Sequence, residues 1–209
     1  MSLPGPLTRV AALLLAGPRA GQACSPGVDS AAFAAAMASD VLDVLDGLSG
    51  VDAAIAATRE RLDDARAASW PSTLVVEVDA ADPLGAAMRE LAAAGYRLAV
   101  LVAPDVPDIP ELVLAKPFSA LGSASVALAP AHGGGLAALG VALPAPDWLL
   151  EAHVDLGTDD AVAVLQAAAP RRRDVRATLP WRRLRAPADI AALDPGLEGW
   201  DATRALLGR

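Results

Sequence analysis

Leu98-Ala99-Val100-Leu101-Val102-Ala103, followed by Pro104-Asp105-Val106-Pro107-Asp108-Ile109-Pro110, is the stretch that decides the fold. Six apolar residues without alternation, closed by prolines and aspartates, predict a strand buried on both faces. Such a strand belongs to a parallel sheet with helices on either side. Just upstream, residues 73–78 are β-branched and fit a neighbouring strand. Asp82-Pro83 then supplies a capping acid and a proline for the first helical turn, and the helix runs to about residue 94 before Gly95.

The same alternation extends in both directions. Residues 10–16 and 51–57 read as strands. Between them Asp29 or Ser30 caps a helix whose apolar positions Phe33, Met37, Val41, Val44 and Leu48 recur at three- and four-residue spacing. Asp40 and Asp43 fall on its outer face. Residues 58–69 are polar and suit a short surface helix or loop. Downstream come a short helix interrupted at Pro117, a strand over 125–130, a second apolar run over 136–143 and a helix capped by Thr158. A strand over about 175–179 and two short helices, 187–193 and 200–207, close the chain. Repeated strand-helix-strand units predict a single three-layer α/β domain over 1–209, with a mixed, mainly parallel sheet. Ligands of such sheets sit beyond the carboxyl ends of the strands, here the loops after Ala16, Ala103 and Pro130.

Composition narrows the function. With 54% hydrophobic and 20% charged residues, the 209-residue chain can bury a core and is not a disordered segment. About a quarter of it is alanine. No run is long enough for a membrane span. The apolar run at 10–16 is read as a first strand rather than a signal peptide, and one cysteine, Cys24, leaves cytoplasm as the default location. The net charge is −8, yet residues 171–185 hold seven arginines against Asp174, leaving about −14 on the rest. An acidic body argues against nucleic-acid binding. The basic segment is either a solvated hairpin or a site for a small anion or an acidic partner.

Asp105 and Asp108 stand three apart at the end of the central strand. That pattern suits a divalent cation, because hard ions take carboxylate oxygens; taken alone it is more commonly a turn in which both side chains satisfy backbone amides. Pro130-Ala131-His132-Gly133-Gly134-Gly135 lets backbone approach a ligand, or simply joins two strands. His132 is a candidate base with no visible partner, and His153 reads as a packing or surface residue. Phosphate-binding loops ending in Gly-Lys-Ser/Thr, the Gly-x-Gly-x-x-Gly turn, zinc ligand sets and the Gly-x-Ser-x-Gly elbow are missing from the sequence.

The order of these pieces resembles a known family. Asp82-Pro83-Leu84-Gly85-Ala86-Ala87-Met88 resembles a Gly-Asp-Leu-Gly-Glu-Arg-Met element, and Asp105-Val106-Pro107-Asp108-Ile109 a Ser-Asp-Cys-Pro-Asp-Leu loop. Pro130–Gly135 resembles a Pro-Ala-Glu-Asp-Gly-Gly turn, with Leu139-Gly140 on the following strand, and Pro187-Ala188-Asp189-Ile190 resembles Thr-Pro-Glu-Asp-Leu. The family is the bacterial glycosyltransferase-like group called domain of unknown function 2064, in the nucleotide-diphospho-sugar transferase superfamily.

The resemblance implies a GT-A-like fold that binds a nucleotide or nucleotide-sugar. Asp105 would hold Mg or Mn on the diphosphate, with Asp108 a second candidate. Arg19 would touch phosphate, and Gly133, Gly134 and Gly135 would floor the pocket. This sequence departs from the pattern at three places. The loop after the first strand keeps only Arg19, the aspartate of the Asp-Gly-Gly turn is Gly133, and a late Asp-Val-Asp is Arg183-Leu184-Arg185. These changes subtract from a metal cage and add fixed positive charge, so Arg183 and Arg185 are expected to replace part of the metal's charge. The implied activity is glycosyl or nucleotidyl transfer. The alternatives are an inactive binding or assembly partner and a guanylyltransferase acting on a phosphorylated small acid.

Overall fold

The computed structural model describes residues 8–17, 23–24, 27–194 and 196–208. Seven strands form one sheet: β1 (Arg9–Leu15), β2 (Asp52–Thr58), β3 (Leu74–Val78), β4 (Leu98–Val102), β5 (Val126–Pro130), β6 (Leu136–Ala142) and β7 (Val175–Ala177). The order across it is β3-β2-β1-β4-β6-β5-β7, with β6 antiparallel to both neighbours and every other pair parallel. β4 is fully buried, as its unbroken apolar run requires.

Among the described residues the α-helices are α1 (Ser30–Gly47), α2 (Leu62–Ala68), α3 (Pro83–Ala93), α4 (Glu111–Ala120), α5 (Asp147–Glu151), α6 (Ala161–Ala168) and α7 (Asp201–Leu206). The chain moves outward from β1 through β2 to β3, then returns across the sheet through α3 to place β4 on the other side of β1. Right-handed crossovers put α1 and α3 on opposite faces, because the direction of travel reverses between them. The point of reversal lies between β1 and β4.

Local chemistry explains each boundary of α3. Asp82 accepts from the Gly85 N–H (3.0 Å), and Pro83 opens the helix. A Cβ at position 85 would meet the Asp82 carboxylate, which would have to shift to keep this bond. The expected interruption at Pro117 does not occur. α4 runs through it, and Pro117 packs over Gly140 of β6, where an added Cβ would lie 3.0 Å from the proline Cβ. Thr158 does not cap α6: its hydroxyl accepts from the Asp155 N–H, and Asp160 precedes the helix without a side-chain cap bond. The five-residue α5 carries no periodic signal long enough to read from sequence.

One correction concerns charge. Asp40, expected on the outer face of α1, is 1% exposed. Its carboxylate accepts from the backbone N–H groups of Ala202 (2.9 Å) and Thr203 (2.8 Å), two otherwise unpaired donors in the first turn of α7. Burial pushes its carboxyl above the usual carboxylate range against the opposing pull of those hydrogen bonds. This docking closes a second, small core formed by Phe33, Met37, Leu184, Ile190, Leu193 and Trp200. That core anchors the polypeptide at Leu184, between Arg183 and Arg185, and again at Ile190 beyond them.

Candidate functional site

A cleft of about 590 Å³ opens at the point of reversal. Its walls are the end of β1 (Leu14, Ala16, Gly17), the turn into α3 (residues 80–84), Pro104-Asp105 after β4, the loop 153–157 and Arg183-Leu184-Arg185. The first three segments are where parallel-sheet geometry places ligands. The last two are contributed by chain far away in sequence.

The loop after β4 is clipped to residues 181–185. The Leu184 N–H donates to the Asp105 carbonyl (2.8 Å), fixing the register. From there Arg183 reaches Asp105 in a two-pronged contact, Nε to Oδ1 at 2.7 Å and Nη2 to Oδ2 at 3.0 Å. Its Nη1 donates to the carbonyls of Leu136 (3.1 Å) and Leu156 (2.5 Å). Both side chains of the pair are nearly buried, at 10% and 7% exposure. Asp108 is held in the same manner: it accepts from Arg182 Nε (2.7 Å) and Nη2 and from the Trp181 indole N–H (3.1 Å). The Arg182 guanidinium also lies 4.8 Å from the Trp181 ring centroid. Trp181 itself is held to the glycine turn, donating its N–H to the Pro130 carbonyl and accepting from the His132 N–H (both 2.9 Å).

Neither sequence-level alternative for the two aspartates describes this arrangement. Asp105 and Asp108 do not cap their own turn; each is neutralised by an arginine some 75 residues downstream. Nor do they fit a resident divalent cation, because every carboxylate oxygen of both residues already accepts from a guanidinium or an indole. Among the described residues no group of three or more His, Cys, Asp or Glu gathers to hold a metal.

The expected pocket-floor glycines stand one layer back. Gly133, Gly134 and Gly135 all have positive φ. The Gly135 N–H donates to the Asp159 carbonyl, and that of Leu136 to the Leu156 carbonyl. A Cβ on Gly135 would lie 2.5 Å from Arg185 Nη2 and 2.8 Å from the Leu156 oxygen. The turn therefore seats Arg185 and the 156–159 loop, and these line the cleft in its place. Arg185 Nη1 reaches Asp159 at 3.4 Å, while its Nη2 is buried with no partner among the described residues. Its backbone N–H and that of Ala186 both donate to Asp189, which fastens the short 3-10 helix Pro187–Ala192. His153, with φ 47°, lines the cleft; His132 is exposed outside it. Arg19 lies outside the described residues.

Six of the seven arginines of the basic segment fall into two groups. Arg182, Arg183 and Arg185 pair with Asp108, Asp105 and Asp159. Arg172, Arg173 and Arg176 lie with Gln166 along a separate groove at the β7 edge, without a carboxylate partner among the described residues. Sequence reading missed Trp181 and Arg182 as partners of Asp108, although Trp181-Arg182-Arg183-Leu184-Arg185 stands as one run of alternating charge and bulk. It also missed the loop 153–157, which carries no composition signal.

Residues 41–158 match the family described as "Uncharacterized protein conserved in bacteria (DUF2064)". No curated protein matches the chain. Among solved structures, a provisionally assigned nucleotide-diphospho-sugar transferase from Desulfovibrio desulfuricans G20 is similar with a TM-score of 0.70 at 17% identity, covering 96% of this chain and 97% of that one. A 4-diphosphocytidyl-2C-methyl-D-erythritol synthase from Anaerococcus prevotii is similar with a TM-score of 0.59 at 11% identity, covering 97% of both chains. A Mycobacterium tuberculosis protein solved as a manganese complex, Rv0371C, follows with a TM-score of 0.53 at 19% identity, covering 98% of this chain and all of that one. At these identities the likeness is one of fold: a mixed, mainly parallel α/β sheet of the nucleotide-diphospho-sugar transferase type. Because the family match spans more than half of the sequence, the chain belongs to the DUF2064 family.

Proposed function

From that membership we propose that the chain binds a nucleotide or nucleotide-sugar in the cleft between β1 and β4. The observation that carries this reading is the position of the cleft. It lies at the topological switch point, beyond the carboxyl ends of parallel strands, with two arginines on one wall. Arg185 is the side chain to contact phosphate. It is partly exposed, its pairing with Asp159 is long, and Arg suits two-pronged phosphate contact. The dimension suits a small ligand, since pockets for such molecules run from about 300 to 1,000 Å³. The fold of the similar nucleotidyl and sugar transferases supports the ligand class.

Glycosyl or nucleotidyl transfer is the activity to test first. A second reading, a binding partner without turnover, is favoured by one specific observation: the Asp105 carboxylate is consumed by Arg183 and is not free to serve chemistry.

Calorimetric titration with a panel of nucleoside di- and triphosphates and nucleotide-sugars tests binding, and release of product from the same panel tests turnover. Binding is expected for at least one member. Arg185→Ala should weaken it by about 10- to 100-fold, the worth of a charged hydrogen bond. Absence of heat and of thermal shift across the panel would overturn the reading. Binding without product would select the second.

A further inference from the structure

We infer that Arg183 is a built-in cation: its guanidinium takes the place that a divalent metal would fill beside Asp105, and the cleft works without metal. Four oxygens from three separate segments converge on this one side chain. They are both carboxylate oxygens of Asp105 and the carbonyls of Leu136 and Leu156, at 2.5–3.1 Å. Carboxylate and carbonyl oxygens are the donors that hard cations select. Here the set is already satisfied by a positive charge that is covalently part of the chain.

The plug is secured on both sides. Leu184 hydrogen-bonds the Asp105 backbone and is 1% exposed in the small core with Phe33, Met37 and Trp200. Swinging Arg183 out would require leaving Asp105 charged, nearly buried and unpaired, or breaking that core. An incoming metal would have to meet this cost before gaining a single ligand. A guanidinium is also always protonated, so its charge cannot be removed by a chelator or by any physiological pH. The price of this arrangement is one unit of charge where a metal would supply two, and Arg185 stands on the same wall.

The test uses Mn2+ alone as probe, followed by its electron paramagnetic resonance signal and by thermal unfolding with and without EDTA. No nucleotide enters, so its failure is distinct from failure of the binding proposal. The wild-type chain is expected to take up no Mn2+ at this position and to show the same Tm in Mn2+ and EDTA. Arg183→Met empties the guanidinium's place and frees its four oxygens. The variant should gain one saturable Mn2+ site, lost again in the Arg183→Met/Asp105→Asn double variant. If Arg183→Met is unfolded in EDTA, circular dichroism in millimolar Mn2+ decides: recovery of the fold supports the inference, and a chain that stays unfolded overturns it. A folded Arg183→Met variant that takes up no Mn2+ overturns it as well. So does a wild-type chain whose Mn2+ uptake is abolished by Asp105→Asn.

Discussion

Asp105→Asn is the sharpest probe of how the site is held. The amide keeps the shape of the carboxylate but reverses one of its two contacts. Oδ1 can still accept from Arg183 Nε, whereas the new NH2 group faces the Nη2 donor, now donor against donor. The larger loss is charge. Arg183 is 10% exposed, and its remaining partners are two neutral carbonyls. Removing one member of a buried pair costs about 3–5 kcal/mol, because the other charge is left uncompensated. At roughly 2–4 °C per kcal/mol for a chain of this size, Tm should fall by about 6–20 °C. Urea denaturation gives the free energy directly and calorimetry the Tm. The apolar pair Asp105→Leu/Arg183→Met should recover part of the loss, since replacing a buried ion pair by apolar side chains is often neutral, while the Leu136 and Leu156 carbonyls lose their guanidinium donor. Asp108→Asn should cost less, about 1–3 kcal/mol, because Arg182 is 25% exposed and water can solvate it. An Asp105→Asn variant within about 1 kcal/mol of wild type, or a double variant no better than the single, would refute the argument.

Two further outcomes follow from other parts of the fold. Gly135→Ala places a Cβ against Arg185 Nη2 and the Leu156 carbonyl at φ +74°; denaturant unfolding should show a loss of about 1–3 kcal/mol or more, whereas Ala substitution at Gly50, with nothing within 4 Å among the described residues, should show backbone strain alone. Asp40 has a carboxyl raised by burial, so the folded chain holds its proton to higher pH than the unfolded chain. Its contribution is therefore fully present below about pH 4 and is lost as pH rises through the raised value. Asp43 is raised as well, first by burial and then by Asp46 and Asp201, and adds a decline of the same sign. Urea unfolding at several pH values should show a shallower decline for Asp40→Asn than for wild type above pH 4; equal slopes would show that Asp40 does not titrate as the geometry requires.

Strand and helix order was legible because it rests on short-range pattern. The unbroken apolar run before Pro104 can only be a strand buried on both faces, and Asp82-Pro83 caps a helix by contacts within four residues. What failed locally failed for a tertiary reason. The helix continues through Pro117, whose ring packs into the space left by Gly140 on another strand. Asp40 is buried because a helix more than 160 residues away, Ala202 being 162 residues on, brings its unpaired N–H groups there.

The site divides along the same line. By itself the sequence established that an acidic loop follows the central strand, that a glycine turn precedes β6, and that arginines crowd the late segment, for each of these is a property of neighbouring residues. Whether the acids, glycines and arginines meet is set by how the chain after β7 folds back. Only the tertiary structure decided that Arg183 closes on Asp105, Arg182 on Asp108 and Arg185 over Gly135. The physical reason is that a charge in a low-dielectric interior must find its counter-charge wherever the packing of distant segments delivers it, and spacing along the chain does not encode that partner.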